Sequence, residues 1–147
     1  MNNHKSDFKQ SAELGQKVLQ LTLNDKEQKD FQEITLVSLY TIEDYSTLLR
    51  ICDQLLSSDF KEDFELAKIN YYKGKSHKYN GENDAAISAF NKVVQYSRNA
   101  LAAESSFEVA ELFYKNKMMD KAEAQALEST KRAANYPYWV AKSLLLL

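Results

Sequence analysis

Apolar residues recur along the chain at steps of three and four, which is the spacing of one face of an α-helix. Leu48, Ile51 and Leu55 show the pattern clearly, and the stretches 86–94 and 107–114 repeat it. No stretch shows the strict alternation of apolar and polar residues that is typical of a half-buried strand. Together with the polar interruptions, the pattern predicts eight helices, at about 6–23, 28–40, 43–57, 63–80, 83–97, 101–116, 119–135 and 138–147.

The scarcity of turn-forming residues supports an all-α fold. The 147 residues include only 3 glycines and 1 proline, whereas strands and hairpins need such residues at frequent intervals. The length suits one compact domain with a buried core. With 44% apolar and 27% charged residues, the composition is typical of a soluble globular protein.

Charge and cysteine content exclude several classes of protein and site. The formal net charge of −2 provides no strong attraction to nucleic acid or anionic membranes. Cys52 is the only cysteine, which excludes an internal disulfide and a zinc site built on paired cysteines. Residues 1–10 contain no apolar segment of a secretory signal, and the longest apolar run, Leu144–Leu147, is too short to span a bilayer. We therefore expect no membrane span, and the localisation remains open.

Sliding the sequence along itself reveals an internal repeat. At an offset of 36, the pairs in register are Gly74 with Ala110, Gly81 with Lys117, Ala86 with Ala122 and Phe90 with Ala126. At an offset of 38, they are Leu36 with Gly74, Tyr40 with Lys78, Glu43 with Gly81, Leu48 with Ala86 and Cys52 with Phe90. Helix pairs that recur at such a period indicate a solenoid, because each pair buries its apolar face only against its neighbours.

The central unit resembles a tetratricopeptide repeat, a helix pair of about 34 residues. Gly74 stands for the small residue of the first helix, and Gly81-Glu82-Asn83-Asp84-Ala85-Ala86-Ile87 followed by Phe90 resembles the turn and second helix. Weaker matches surround Ala110 and Leu36. The resemblance implies a right-handed α-α superhelix of antiparallel helix pairs, with Asn70, Lys73 and His77 as departures from its usual apolar positions.

The domain organisation follows from this resemblance. Residues 1–147 form one domain with repeat-like units at about 29–62, 67–100 and 103–136 and partial repeats at both ends. Helix 6–23 resembles a second helix without its first, and helix 138–147 resembles a first helix without its second. We expect the chain to be a segment of a longer repeat protein. Because four leucines end helix 138–147, this helix is also a candidate for self-association.

The repeat register makes specific structural predictions. Small residues should be buried where helices cross, namely Gly74, Ala86, Ala110 and Ala122. Gly81 should end its helix in a left-handed conformation. Asn83 or Asp84 should cap the next helix by accepting a backbone N–H bond.

Motifs for catalysis are absent from the sequence. It contains no phosphate-binding loop, no nucleophile elbow and no zinc-protease motif. Cys52 and His77 could form a nucleophile–base pair, but both occupy positions expected to pack in the core. Three acidic residues, Glu27, Asp30 and Glu33, could hold a metal but fit a solvated helix face better. We therefore predict a non-enzymatic protein with no catalytic residue, metal or cofactor.

One helix face is the candidate binding site, because first helices line the concave groove of tetratricopeptide solenoids. Its proposed partner-binding residues are Tyr71, Tyr72, Lys75, Lys78, Tyr79, Phe107, Glu108, Glu111 and Tyr114. In that interpretation, the following should be partly accessible on one concave surface: Tyr72, Lys75, Tyr79, Glu108, Glu111 and Tyr114. The alternative is that the charges pair across adjacent helices, with Lys68 between Asp30 and Glu104 and Lys75 facing Glu111.

Three functions remain open at this point. The first is a scaffold that binds a protein or peptide partner in the groove. The second is single-stranded nucleic-acid binding by the tyrosine and lysine side chains, which the glutamates of the next helix would oppose. The third is a groove for a small molecule or an enzymatic substrate.

Overall fold

The computed structural model describes residues 2–21, 25–57 and 61–147. It is 82% helical and has no strand in the described ranges, which confirms the all-α prediction. Its eight helices are α1 (Asn2–Val18), α2 (Asp25–Thr41), α3 (Tyr45–Ser57), α4 (Asp63–Tyr79), α5 (Asn83–Tyr96), α6 (Ala100–Lys115), α7 (Met119–Arg132) and α8 (Pro137–Leu144).

The helices pack in sequence order, and they also divide into two layers. Each helix from α1 to α7 contacts the helix that follows it in the chain. In addition, α2 contacts α4, α4 contacts α6 and α6 contacts α8. No corresponding contact joins α1 to α3, α3 to α5 or α5 to α7 in the described ranges. The even-numbered helices therefore lie close together on the inner side, and the odd-numbered helices spread apart on the outer side. This is the packing order of a helical repeat superhelix.

Three turns between helices have the same backbone conformation. Glu43, Gly81 and Lys117 have positive φ angles of 63°, 77° and 59°. After α4, the N–H of Glu82 donates to the carbonyl of His77 at 2.9 Å, which is the long bond of a Schellman motif. The equivalent bonds, from Asp44 to Leu39 and from Met118 to Phe113, are both 3.0 Å long. The left-handed conformation of Gly81 is confirmed, and the same turn recurs at the sequence offsets of 38 and 36.

Small residues lie where the helices cross, as predicted. Ala86, Ala110 and Ala122 are buried, and Gly74 is buried as well. A Cβ added to Gly74 would lie 2.7 Å from the ring of Phe90, the largest fully buried side chain. Glycine is therefore required at this position for α4 to approach α5 closely.

Two parts of the core are distinguishable. One lies between α1, α2, α3 and α4 and is built from Ala12, Leu36, Leu39, Tyr45, Leu48, Ile51, Cys52, Leu55 and Ile69. The other joins α5 to α6 through Ala86, Phe90, Val109 and Leu112. Tyrosines of α4 pack on both, with Tyr72 against the first and Tyr71 against the second. The inner helix α4 thus connects the two halves of the core.

Some predicted helix ends differ from the structure. The first helix was predicted at 6–23, but α1 begins at Asn2 and ends at Val18. Residues 22 and 23 of the predicted helix lie outside the described ranges. Within the predicted break at 57–63, residues 58–60 also lie outside them. Helix α7 ends at Arg132 and α8 ends at Leu144, each three residues before the predicted end.

The predicted cap of α5 is wrong. Its N-cap position is Glu82, and no side chain accepts a cap hydrogen bond there. Asn83 is already helical, and its Nδ2 donates instead to Oδ1 of Asn116 at 2.7 Å. The side chain therefore ties two successive turns together, and the turn after α4 is held to the turn after α6.

Candidate binding face on the inner helices

Charged side chains fill the contact between α4 and α6. Lys75 Nζ lies 2.5 Å from a Glu104 carboxylate oxygen and 2.6 Å from one of Glu108. Lys78 pairs with Glu108 and, at 2.5 Å, with Glu111. Lys115 adds a 3.2 Å contact to Glu111. We call this set the Lys–Glu ladder: Lys75, Lys78, Lys115, Glu104, Glu108 and Glu111.

The ladder forms because both helices present one charge per turn to the same contact. Burial lowers the pKa of Lys75, but the Glu108 charge and the hydrogen bonds to Glu104 and Glu108 outweigh it, so the net pKa is raised. The pKa of Lys78 is raised in the same way, since its bonds to Glu108 and Glu111 exceed the effect of burial. Burial raises the pKa of Glu111, but its bonds to Lys78 prevail and lower it. All three groups are therefore held in their charged forms.

The predicted pairing across adjacent helices is confirmed, although the partners differ. Lys75 pairs with Glu104 and Glu108 rather than with Glu111. Lys68 pairs with Glu33 of α2, at 2.6 Å. The observed partners lie one or two helical turns from the expected ones, so the simple alignment of the repeats does not give the exact pairing of the side chains.

Two predicted binding residues are not available to a partner. Glu108 was expected to be accessible, and this is wrong, because it is 5% exposed between its two lysines. Phe107 is also 5% exposed, with its ring 5.7 Å from that of Trp139 and 5.3 Å from the Lys142 ammonium. Helix α8 covers Phe107, so this ring belongs to the α6–α8 contact.

Five tyrosines form a continuous series of ring contacts between α2, α3 and α4. We call this series the tyrosine row, and its order is Tyr79, Tyr45, Tyr40, Tyr72 and Tyr71. The distances between successive ring centroids are 4.1, 6.1, 5.8 and 5.4 Å. The first pair is stacked and the others meet edge to face, as aromatic pairs prefer. The Tyr71 hydroxyl donates to Glu104 at 2.9 Å, which joins the row to the ladder. Burial raises the pKa of Tyr71 and Tyr72.

The tyrosine row borders an open cavity on the inner side. Its volume is about 370 Å³, and it is lined by Tyr40, Lys75, Lys78, Tyr79 and Glu108. Tyr79 is 65% exposed and Tyr114, further along α6, is 48% exposed. Tyr72, Lys75 and Glu111 are partly accessible, as predicted. Apart from Glu108, the residues expected to be accessible are therefore confirmed to be so.

Two members of the row were absent from the predicted site. Tyr40 lies in register with Lys78 at the 38-residue offset, so the repeat alignment contained a signal for it. Tyr45 follows the left-handed turn at Glu43 and lies on an outer helix. Only the packing of that turn brings its ring under Tyr79, and the sequence contains no comparable signal.

A second groove lies between the first turns of α2 and α4. It has a volume of about 440 Å³, with Leu36, Ile69 and the exposed Phe64 among its lining residues. The Lys68 ammonium lies 4.4 Å from the Phe64 ring centroid while it pairs with Glu33. The groove is thus apolar at its base and edged by paired charges. No pattern in the sequence predicted this groove.

The residues considered for catalysis and metal binding have other roles. Cys52 is fully buried, and burial raises its pKa to about 12, so its thiol is neutral and inert at physiological pH. His77 contacts Glu82 in the adjoining turn. Glu33 pairs with Lys68. Among the described residues, no group of three or more His, Cys, Asp or Glu side chains is arranged to hold a metal ion.

Helix α8 has an apolar side without a covering element in the described ranges. It contacts only α6 and α7, and Leu144, Leu145 and Leu147 are 55%, 83% and 54% exposed. Self-association through this helix stays a prediction. No helix among the described residues has the length and apolar character required to cross a membrane.

A comparison of the chain with models of known families, with curated proteins and with solved structures finds no match.

Proposed function

We propose that this chain is a non-enzymatic interaction scaffold of the tetratricopeptide type, which binds a peptide segment of a partner protein on its inner face. The observation that supports this most is the tyrosine row, whose rings are ordered by mutual contact before any ligand arrives. Four of the five tyrosines, all but Tyr45, remain partly exposed, and the row borders a cavity. Rigid aromatic side chains at the centre of a concave surface are the usual anchors of protein recognition.

The repeat geometry supports the tetratricopeptide assignment. Three Schellman turns at spacings of 38 and 36 residues close the inner helices, and small residues stand at the crossings of the central unit. The inner helices of such an array form a continuous surface that can follow an extended ligand.

The ladder makes nucleic-acid binding the weaker alternative. Lys75 and Lys78 each contact two carboxylates, so their charges are already compensated. A phosphate backbone would have to displace Glu104, Glu108 and Glu111, which it also repels. A small-molecule site would need polar groups that converge on an enclosed space, and the charged groups beside this cavity are paired with one another.

Selection from a displayed library of random peptides tests the proposal. The peptides recovered should bind the wild-type chain and lose about 30-fold or more in affinity to Tyr79→Ala, as expected for an anchor worth about 2 kcal/mol. Tyr138→Ala is the matched control, because Tyr138 is 64% exposed, almost as much as Tyr79, but lies on α8 away from the row. Equal losses with both variants, or no enrichment at all, would refute an inner-face site.

A further inference from the structure

We infer that the segment bound at the tyrosine row is proline-rich and extended, in the polyproline II conformation. This inference rests on the proposed function and specifies the ligand of the same site. It follows from what the cavity beside the row offers: exposed rings and hydroxyl donors, next to lysine and glutamate side chains that are paired with one another.

The charges of the cavity cannot select a charged ligand strongly. Lys75 and Lys78 line it, but each bonds two carboxylates, and Glu108 between them bonds both lysines. The three lysines of the ladder are balanced by its three glutamates. A charged peptide would have to break these partly buried pairs, each of which is more costly to break than an exposed pair. A ligand without charge at this position avoids that cost.

Hydroxyl donors are available in the same place. Within the described part of the chain, the side chains of Tyr40, Tyr72 and Tyr79 make no hydrogen bond, whereas the Tyr71 hydroxyl is engaged by Glu104. The face therefore has hydroxyl groups to donate, while its strong acceptors are occupied by lysines. A suitable ligand presents many backbone carbonyls and few N–H groups.

Polyproline II segments have this imbalance. The conformation has no internal hydrogen bonds, so its carbonyls are free to accept, and each proline lacks the N–H donor. Proline rings also pack on aromatic faces, which is how aromatic-lined grooves generally hold such segments. The stacked pair of Tyr79 and Tyr45 and the edge-to-face neighbour Tyr40 form a surface of this kind.

The tyrosine row and a proline-rich segment are both rigid before they bind, which favours their association. The tyrosine row is held by its own ring contacts, and Tyr45 beneath it is buried. A proline-rich segment is already restricted before binding, so it loses little conformational entropy on docking. A glycine-rich segment with the same carbonyls would lose much more.

Fluorescence anisotropy with two labelled peptides tests the inference on the intact chain. One peptide consists of about nine prolines, which would span about 28 Å in the polyproline II conformation; the other has the same length and consists of glycine and serine. We expect saturable binding of the proline peptide, and at least 10-fold weaker binding of the glycine–serine peptide. Tyr79→Phe, which removes only the hydroxyl, should weaken binding about fivefold, and Tyr138→Ala should not change it.

The outcomes separate this inference from the proposed function. If library-selected peptides without proline bind in a Tyr79-dependent way while the proline peptide does not, the proline preference is wrong and the peptide-binding function stands. If neither kind of peptide binds, both fail. Tyr79-dependent binding of an oligothymidylate in place of peptides would overturn both in favour of nucleic acid. Circular dichroism of Tyr79→Phe checks that the fold is unchanged, since the variant keeps the stacked ring.

Discussion

Helix α4 has two neighbours on the inner side, and its contacts with them differ in chemistry. Toward α2 it presents rings, with Tyr72 against Tyr40. Two ion pairs also join these helices: Lys68 with the 53%-exposed side chain of Glu33, and Glu65 with Lys29 at 3.6 Å. Toward α6 it presents Lys75 and Lys78, which meet three glutamates in the Lys–Glu ladder. The α2 side leaves a groove of about 440 Å³ open, while the α6 side is filled by paired charges.

Equivalent positions of successive repeats carry different kinds of side chain, which explains this difference. Tyr71 and Tyr72 lie in register with Phe107 and Glu108, and Lys75 lies in register with Glu111. Alternating chemistry at equivalent positions lets adjacent helices complement each other, as lysines of one unit meet glutamates of the next. Between α2 and α4, ring contacts accompany the ion pairs, and rings remain available for a partner.

The largest expected effect concerns Glu108, which holds two lysines of α4. Glu108→Gln removes the charge that both ammonium groups share in a partly buried site, so we expect a loss of about 2 kcal/mol or more in the free energy of unfolding. Glu33→Gln, on the α2 side, should cost less than about 0.5 kcal/mol, because that pair is exposed. Urea denaturation of both variants measures the contrast, and equal costs would show that the two sides of α4 do not differ energetically.

Gly74→Ala tests whether close packing against α5, rather than contact with α2 or α6, determines the position of α4. The new Cβ would lie 2.7 Å from the buried Phe90 ring, so overpacking should cost about 1–3 kcal/mol. Gly81→Ala meets no atom within 4 Å and should cost only the left-handed backbone penalty, about 1 kcal/mol. A thermal denaturation series compares them; a Gly74→Ala cost no larger than that of Gly81→Ala would contradict the close packing.

Two groups of the ladder should contribute to the pH dependence of stability in opposite pH ranges. The folded-state pKa of Glu111 is lowered from its ordinary 4.5, so its contribution is present above that pH and is lost as the pH falls through the folded value. The folded-state pKa of Lys78 is raised from 10.5, so its contribution is present below that pH and is lost as the pH rises through the folded value.

Glu111→Gln isolates the acid side of this dependence. The variant should lose about 1 kcal/mol at neutral pH, and its stability should fall less steeply than that of the wild type below pH 4.5. Denaturation midpoints measured across the acid range provide the comparison. Identical acid slopes for the two proteins would mean that Glu111 does not contribute through its lysine partners.

The smallest expected effects are at the turns, which are alike on both sides of α4. Lys117 has a φ of 59° although it has a side chain, a conformation that glycine adopts without strain. Lys117→Gly should therefore stabilise the fold by about 0.5–1 kcal/mol, and Glu43→Gly, with φ of 63°, should do the same. Ala124→Gly, at an exposed position in the interior of α7, is the opposite control and should destabilise by about 0.5–1 kcal/mol. Destabilisation by all three would argue against the common turn geometry.

The repeat register and most helix positions followed from the sequence because they depend on local chemistry. Apolar periodicity defines a helix face, and Gly81 ends α4 through its own backbone preference, so neither requires knowledge of distant residues. The offsets of 38 and 36 then located the equivalent turns at Glu43 and Lys117, where no glycine marks them. The predicted cap at Asn83 was wrong because its amide bonds instead to Asn116, a partner 33 positions away.

Thus the sequence by itself determined the helices, their order and the faces that meet, since these arise from periodicity and turn residues within each repeat. The tertiary structure determined which lysine pairs with which glutamate and which aromatic rings remain exposed. Glu108 is buried because two lysines of α4 close over it, and Phe107 because Trp139 of α8 covers it. Tyr79 stacks on Tyr45 and remains 65% exposed. Such outcomes depend on how neighbouring helices are placed, which no single helix specifies.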